Sequence, residues 1–162
     1  MEKLDLYNIQ GEKLNKTINR GEKPNEGEFI KLSVIWIKSD IRYLIQVCSE
    51  EKGGEYAVTG GHVSAGNTSR KQAIVEAEEE LGIILKEEDL EFLDSVYRNH
   101  AIFDVYLYED EDYTLSNKKF DLQKSEVEEI CWLSKNDIED LIIKGMFRES
   151  SAEQYFKFIK NS

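Results

Sequence analysis

One stretch constrains this chain more than any other: "EYAVTGGHVSAGNTSRKQAIVEAEEELGI", Glu55 to Ile83. A short strand-like run enters the paired glycines Gly60 and Gly61, Gly66 permits a further bend, and from Thr68 to Leu81 the pattern turns helical. Ile74, Ala77 and Leu81 recur at helical spacing, Thr68 or Ser69 suits the N-cap, and Gly82 suits the C-cap. The glycine pair allows a sharp exit from the strand and a close approach to bare backbone.

The helix between those glycines gathers carboxylates. At about 100° per residue, Glu76, Glu79 and Glu80 share one side, while Ile74, Ala77 and Leu81 cover a side turned well away from it. Like charges three or four residues apart destabilise a helix by roughly 0.2–0.5 kcal/mol per pair, so the repulsion is tolerable and the cluster reads equally as an ordinary solvated face. Set beside the glycine loop, however, these carboxylates and nearby backbone carbonyls can be brought around one point, which would suit a hard divalent cation. Mg²⁺ takes oxygen ligands and keeps waters and substrate phosphates, so a few protein carboxylates suffice. Such an ion also removes the difficulty of bringing an anionic substrate to an acidic helix.

Strand signals dominate around this segment. "KLDLYNIQGEKL" reads as a leading hairpin turning at Gly11, over about residues 1 to 20, and "RGEKPNEGEF", with the only proline, Pro24, reads as a loop. Strands follow at about 29 to 38 and 42 to 48, joined by a turn at Ser39 and Asp40; "LEFLDSVYR" and "AIFDVYLYE" form another pair, and "SEVEEICWLS" a further strand. Ser134 caps the helix "KNDIEDLIIKG", and "SSAEQYFKFIK" reads as a terminal helix. The expected class is α+β, a mixed β-sheet in an α/β/α sandwich, within one domain spanning 1–162.

Composition excludes several partners. The formal net charge of -12 disfavours nucleic acid and anionic membrane, which would meet like charge over most of the surface. No apolar run approaches the roughly 18 residues that span a bilayer, and "MEKLDLYNIQGEK" has no signal-peptide core, so a cytoplasmic protein is expected. Cys48 and Cys131 lie in apolar strand-like runs without CxxC spacing and read as reduced thiols; His62 and His100 form no recognisable zinc motif. The leading strands offer an edge for pairing into a homodimer.

From Gly61 to Ile83 the chain resembles the Nudix box, written in that family as Gly, five residues, Glu, seven residues, then Arg-Glu-apolar-x-Glu-Glu-x-Gly-apolar. Gly61, Glu76, the pair Glu79 and Glu80, and Gly82-Ile83 match it, while Asn67 stands at the first Glu and Val75 at the Arg. The flanks "RGEKPNEGEFIKLSVIWI", "YLIQVCSEEKGGEYAVTGGHVSAGNTS" and "EVEEICWLS" are similar to the Nudix subgroup related to isopentenyl-diphosphate isomerase. The resemblance implies the Nudix fold and hydrolysis of a nucleoside diphosphate linked to another moiety, by water attack on phosphorus assisted by Mg²⁺ or Mn²⁺. It implies Glu76, Glu79 and Glu80 as catalytic metal ligands, with the Gly60 carbonyl as a further ligand and a small-molecule diphosphate as substrate.

In the family the Arg of the box holds its glutamates in place, and Val75 can make no such bond. Losing both members of a pair leaves no orphaned buried charge, so the fold tolerates the change while the chemistry loses positioning. The general base is one of the box glutamates or one of Glu126, Glu128 and Glu129. Arg20, Arg42 and Arg98 are candidate phosphate contacts, and each reads equally as a surface residue. The resemblance does not extend to isomerase chemistry: the isomerases of that subgroup carry a catalytic Cys-containing segment where this chain has "TGGHVSAG". Trp36 and Trp132 suit a core or a stacking platform, and Tyr97, Phe103 and Tyr106 read the same way. The competing reading is a catalytically weak or inactive Nudix-fold module that binds a nucleotide or a protein.

Overall fold

The computed structural model describes residues 1–162. Strands β1 (Lys3–Tyr7) and β2 (Lys13–Asn19) form the leading hairpin, with Gly11 in the left-handed region at φ 80°. β3 (Ile30–Ser39) and β4 (Arg42–Cys48) follow, and here the turn falls on Asp40 and Ile41 rather than on Ser39 and Asp40. Ser39 stays paired with Arg42 because its buried hydroxyl is tied to Asp110 at 3.1 Å.

The remaining elements are β5 (Tyr56–Ala57), β6 (Thr59–His62), α1 (Ser69–Leu81), β7 (Glu91–Arg98), β8 (Ala101–Glu109), β9 (Val127–Leu133), α2 (Lys135–Ile143) and α3 (Glu149–Gln154). α3 runs on into a π-helical turn, Tyr155–Ile159. Caps sit where the residue chemistry requires: Thr68 accepts from the Lys71 amide at α1, Gly82 closes it at φ 69°, and Ser134 with Asp137 completes a capping box at α2.

β3 lies at the centre of the mixed sheet. It pairs in parallel with β8, from Ile30↔Ala101 to Lys38↔Glu109, and antiparallel with β6. β4 carries β5 and β9 antiparallel, and β7 pairs antiparallel with β8. β3 and β4 share only the pairs Lys38↔Tyr43 and Ser39↔Arg42 before diverging. That divergence opens the sheet where the functional groups collect.

Alternation along β3 and β4 assigns the two faces. Val34, Trp36, Tyr43 and Ile45 pack with Ile138, Tyr155 and Ile159 of the C-terminal helical segments. Ile35, Ile37 and Leu44 pack with Ala73, Ala77 and Leu81 of α1. Both faces are covered, which is why β3 reads as a continuous apolar run rather than a strict alternation. The result is the α+β sandwich expected from the sequence, with α1 on one side and α2 and α3 on the other. Trp36 is core, fully buried with its indole N–H donating to Gln154 at 3.1 Å.

Candidate active site

Gly60 and Gly61 lie inside β6, opposite Val34 and Ser33, so the strand runs through them and makes no sharp exit. What they provide is room. A Cβ on Gly60 would come within 2.5 Å of the Ser33 carbonyl oxygen, and one on Gly61 would overlap the Glu76 carboxylate. The Glu76 carboxylate therefore lies directly on bare backbone. The fully buried Ala73 and Ala77 keep α1 close enough to the sheet for this contact.

The three glutamates do not share one environment. Gln72, Glu76 and Glu80 stand on one i, i+4 ridge that faces the sheet beside Ala73, Ala77 and Leu81. Glu80 is 7% exposed, Glu76 half-buried and Glu79 exposed. The expectation of one charged face opposite one core face is thus corrected at Glu80. It turns inward because the sheet beneath it presents polar groups: Gln46 donates to Glu80 Oε1 at 3.2 Å, and also to the Thr59 hydroxyl at 2.9 Å.

Burial sets the protonation of this ridge. Desolvation, then the neighbouring Glu76, push the Glu80 carboxyl up to about 8, against the favourable bonds from Gln46 and the Gly60 amide. Glu76 is also raised, first by burial and then by Glu79, with the Gln72 amide opposing. Two adjacent carboxyls held away from water disfavour ionisation until a cation joins them. No group of three or more His, Cys, Asp or Glu side chains converges on one point. One buried and one half-buried carboxylate beside bare backbone are nevertheless a donor set that fits Mg²⁺ or Mn²⁺, which leaves its other positions to water and phosphate oxygens.

Below this ridge a cleft of about 210 Å³ opens between the diverging strands, lined by Gly60, Gly61, Glu80, Gln46 and Cys48. Arg20, Lys52 and Arg148 bring positive charge to it, Glu126 an additional carboxylate, and Phe103 an apolar wall. Arg148 reaches the Cys48 sulfur at 3.3 Å and Glu55 at 3.4 Å, and Lys52 pairs with Glu126 at 3.4 Å. Burial raises the Cys48 thiol more than Arg148 lowers it, and Cys131 is pushed up to about 11, so neither is an activated nucleophile.

Of the arginines singled out from sequence, only Arg20 lines the cleft. Arg42 sits on a separate surface depression, and Arg98 is held by Glu149 and Glu153, each at 3.2 Å. Among the later glutamates only Glu126 reaches it, since Glu128 and Glu129 are exposed on β9. Tyr106 is buried with its hydroxyl on Ser69, Tyr97 is exposed against Phe29, and His62 lines the cleft while His100 contacts the Glu28 carbonyl. Sequence reasoning missed Lys52 and Arg148. Both come from segments with no helical or strand periodicity, so only the fold brings them to Gly60.

Acidic groups on a helix, bare glycine backbone and a cation-walled cleft together suit the chemistry of phosphate anhydrides. A sequence profile of the NUDIX domain matches residues 31–156. The chain belongs to the Nudix family, whose members hydrolyse nucleoside diphosphates linked to another moiety and generally use divalent metal ions. It is 30% identical over 159 residues to Nudix hydrolase 3 of Arabidopsis thaliana, covering 88% of this chain and 20% of that longer protein. An uncharacterised Nudix hydrolase of Listeria monocytogenes is 33% identical over 154 residues, covering 91% of this chain and 88% of its own. A solved structure from Deinococcus radiodurans superposes with a TM-score of 0.81 at 19% identity, over 98% of this chain and 100% of that one, and shares the fold. No helix is long and apolar enough to cross a membrane.

Proposed function

We propose that this chain hydrolyses a nucleoside diphosphate linked to another group, by attack of water on a phosphorus atom of the diphosphate. The observation that carries the reading is a pair of carboxyl groups on one helix ridge: Glu80, buried and lining the cleft, and Glu76, half-buried against the bare backbone of Gly61. Glu76, Glu79, Glu80 and the Gly60 carbonyl are the proposed ligands of Mg²⁺ or Mn²⁺, which when bound supplies charge neutralisation and activates water. Glu79, exposed but close enough to raise Glu76, is the ligand that closes in from the rim. Arg20, Lys52 and Arg148 bind and orient the diphosphate oxygens. Glu126, paired with Lys52, is positioned to accept a proton from the attacking water.

A second reading, a weak or inactive nucleotide- or protein-binding module, draws on Asn67, Val75 and the exposed position of Glu79. One screen separates the two: nucleoside diphosphate derivatives incubated with and without Mg²⁺ or Mn²⁺, with mononucleotide release as the readout. Metal-dependent release that disappears in Glu80→Gln and falls in Glu79→Gln supports hydrolysis. Nucleotide binding without release in every metal tested supports the module.

A further inference from the structure

Asn67 and Val75 remove an acidic residue and an arginine from the box, yet Glu76 is held more firmly than a free side chain on a helix. Gln72, 5% exposed, donates from Nε2 to Glu76 Oε1 at 2.9 Å. Its Oε1 accepts from the Ser64 backbone N–H at 3.3 Å and from Asn67 Nδ2 at 3.0 Å. Asn67 in turn accepts on Oδ1 from the Thr68 backbone N–H at 3.0 Å.

Backbone amides only donate, so they dictate which way each carboxamide points. The Thr68 N–H takes the Asn67 oxygen and leaves its NH₂ facing Gln72. The Ser64 N–H and that NH₂ both claim the Gln72 oxygen, which leaves the Gln72 NH₂ for Glu76. Neither amide can turn over without setting oxygen against oxygen or a donor against a donor.

We propose that Gln72 is a positioning residue, oriented by Asn67, that holds the Glu76 carboxylate on Gly61 and takes over the work of the missing arginine. The proposal rests on the metal-site reading above. Asn67 is then a component of the site rather than a defect in it. The leading hairpin steadies the far end of the relay, since the Ser64 hydroxyl donates to Glu2 at 2.9 Å and the Gly66 amide to Asp5 at 2.8 Å. Both acidic residues precede the part of the chain that the family profile covers.

The test is Mn²⁺ affinity of the full chain without nucleotide, followed by the electron paramagnetic resonance of free Mn²⁺. Gln72→Leu keeps the volume and loses the donor, and affinity should fall roughly 10- to 100-fold, the range for groups that orient a ligand. Asn67→Asp is the sharper variant. It adds a negative charge near the site, which by itself would strengthen cation binding, but it sets an acceptor against the Gln72 oxygen, so the carboxamide is either repelled or turned with its NH₂ against the Ser64 N–H, and either way the donor to Glu76 is displaced. A fall in affinity for Asn67→Asp, with no further fall when it is added to Gln72→Leu, supports the relay.

Asn67 is partly exposed, so its variant remains informative if Gln72→Leu does not fold. Unchanged or tighter Mn²⁺ binding by folded Asn67→Asp overturns the relay. Glu76→Gln separates this from failure of the metal reading. If that variant binds Mn²⁺ as the unaltered chain does, Glu76 is not a ligand and both ideas fall; if it loses binding while Asn67→Asp and Gln72→Leu keep it, only the relay falls.

Discussion

Replacing Glu80 by Gln should stabilise the metal-free protein while destroying its proposed metal site. The Glu80 carboxyl is raised from 4.5 to about 8, chiefly by burial. The folded chain thus retains a proton that the unfolded chain releases. This contribution is fully present below pH 4.5 and is lost as pH climbs through about 8. With about 1.4 kcal/mol per pH unit, the ionised group costs roughly 4 kcal/mol at pH 8 and under about 1 kcal/mol at pH 5. A carboxamide stays neutral throughout, and its oxygen can still accept from the Gln46 amide that now lies 3.2 Å from Glu80 Oε1. Urea unfolding in EDTA should therefore place Glu80→Gln above the unaltered chain by roughly 4 kcal/mol at pH 8 and by less than about 1 kcal/mol at pH 5. Added Mn²⁺ at pH 8 should raise the stability of the unaltered chain and leave the variant where it was. A stability difference that does not change with pH, or a variant weaker than the unaltered chain at pH 8, would refute the reasoning.

Gly61→Ala should expel the Glu76 carboxylate from its seat, so Mn²⁺ affinity should fall at least about tenfold while the circular dichroism spectrum is kept. Arg148→Met should raise KM for whichever diphosphate substrate the screen identifies by roughly tenfold with kcat little changed, as steady-state kinetics would show for a group that binds the substrate and its transition state alike. Leu81→Ala, at a side chain with no exposure in the α1 core, should cost about 2–5 kcal/mol in chemical denaturation without altering the pH dependence attributed to Glu80.

Much of the architecture was legible along the chain. Thr68 and Gly82 bound α1 where cap chemistry places them, and the Ser134 cap starts α2. The apolar runs at β3, β4, β7 and β8 became strands with edges within about a residue or two of those expected, the uncertainty usual at element ends. The spacing from Gly61 to Ile83 identified the family that the profile match shows. Spacing of this kind survives in sequence because it reflects local geometry: helical period, cap side chains and the absence of a Cβ.

The site beyond that segment was less legible. Arg20, Arg42 and Arg98 look alike in sequence, yet only Arg20 reaches the cleft, while Arg98 is occupied by two glutamates of α3. Lys52 and Arg148 arrive there because β4, β5 and the start of α3 meet, with the Tyr56 amide donating to the Met146 carbonyl at 2.9 Å. Such meetings join residues far apart in the chain, and no local period records them.

Helical periodicity determined that Glu76, Glu79 and Glu80 lie near one another, and the glycine pair determined that backbone could be approached there. Tertiary structure alone decided that Glu80 turns inward, Glu79 outward, and that Gln72 reaches Glu76. The physical reason is that a helix period gives relative angles around an axis, whereas the absolute rotation is set by what the sheet offers beneath it. Here it offers Gln46, Thr59 and two glycines, and a carboxylate is drawn under the helix instead of a leucine.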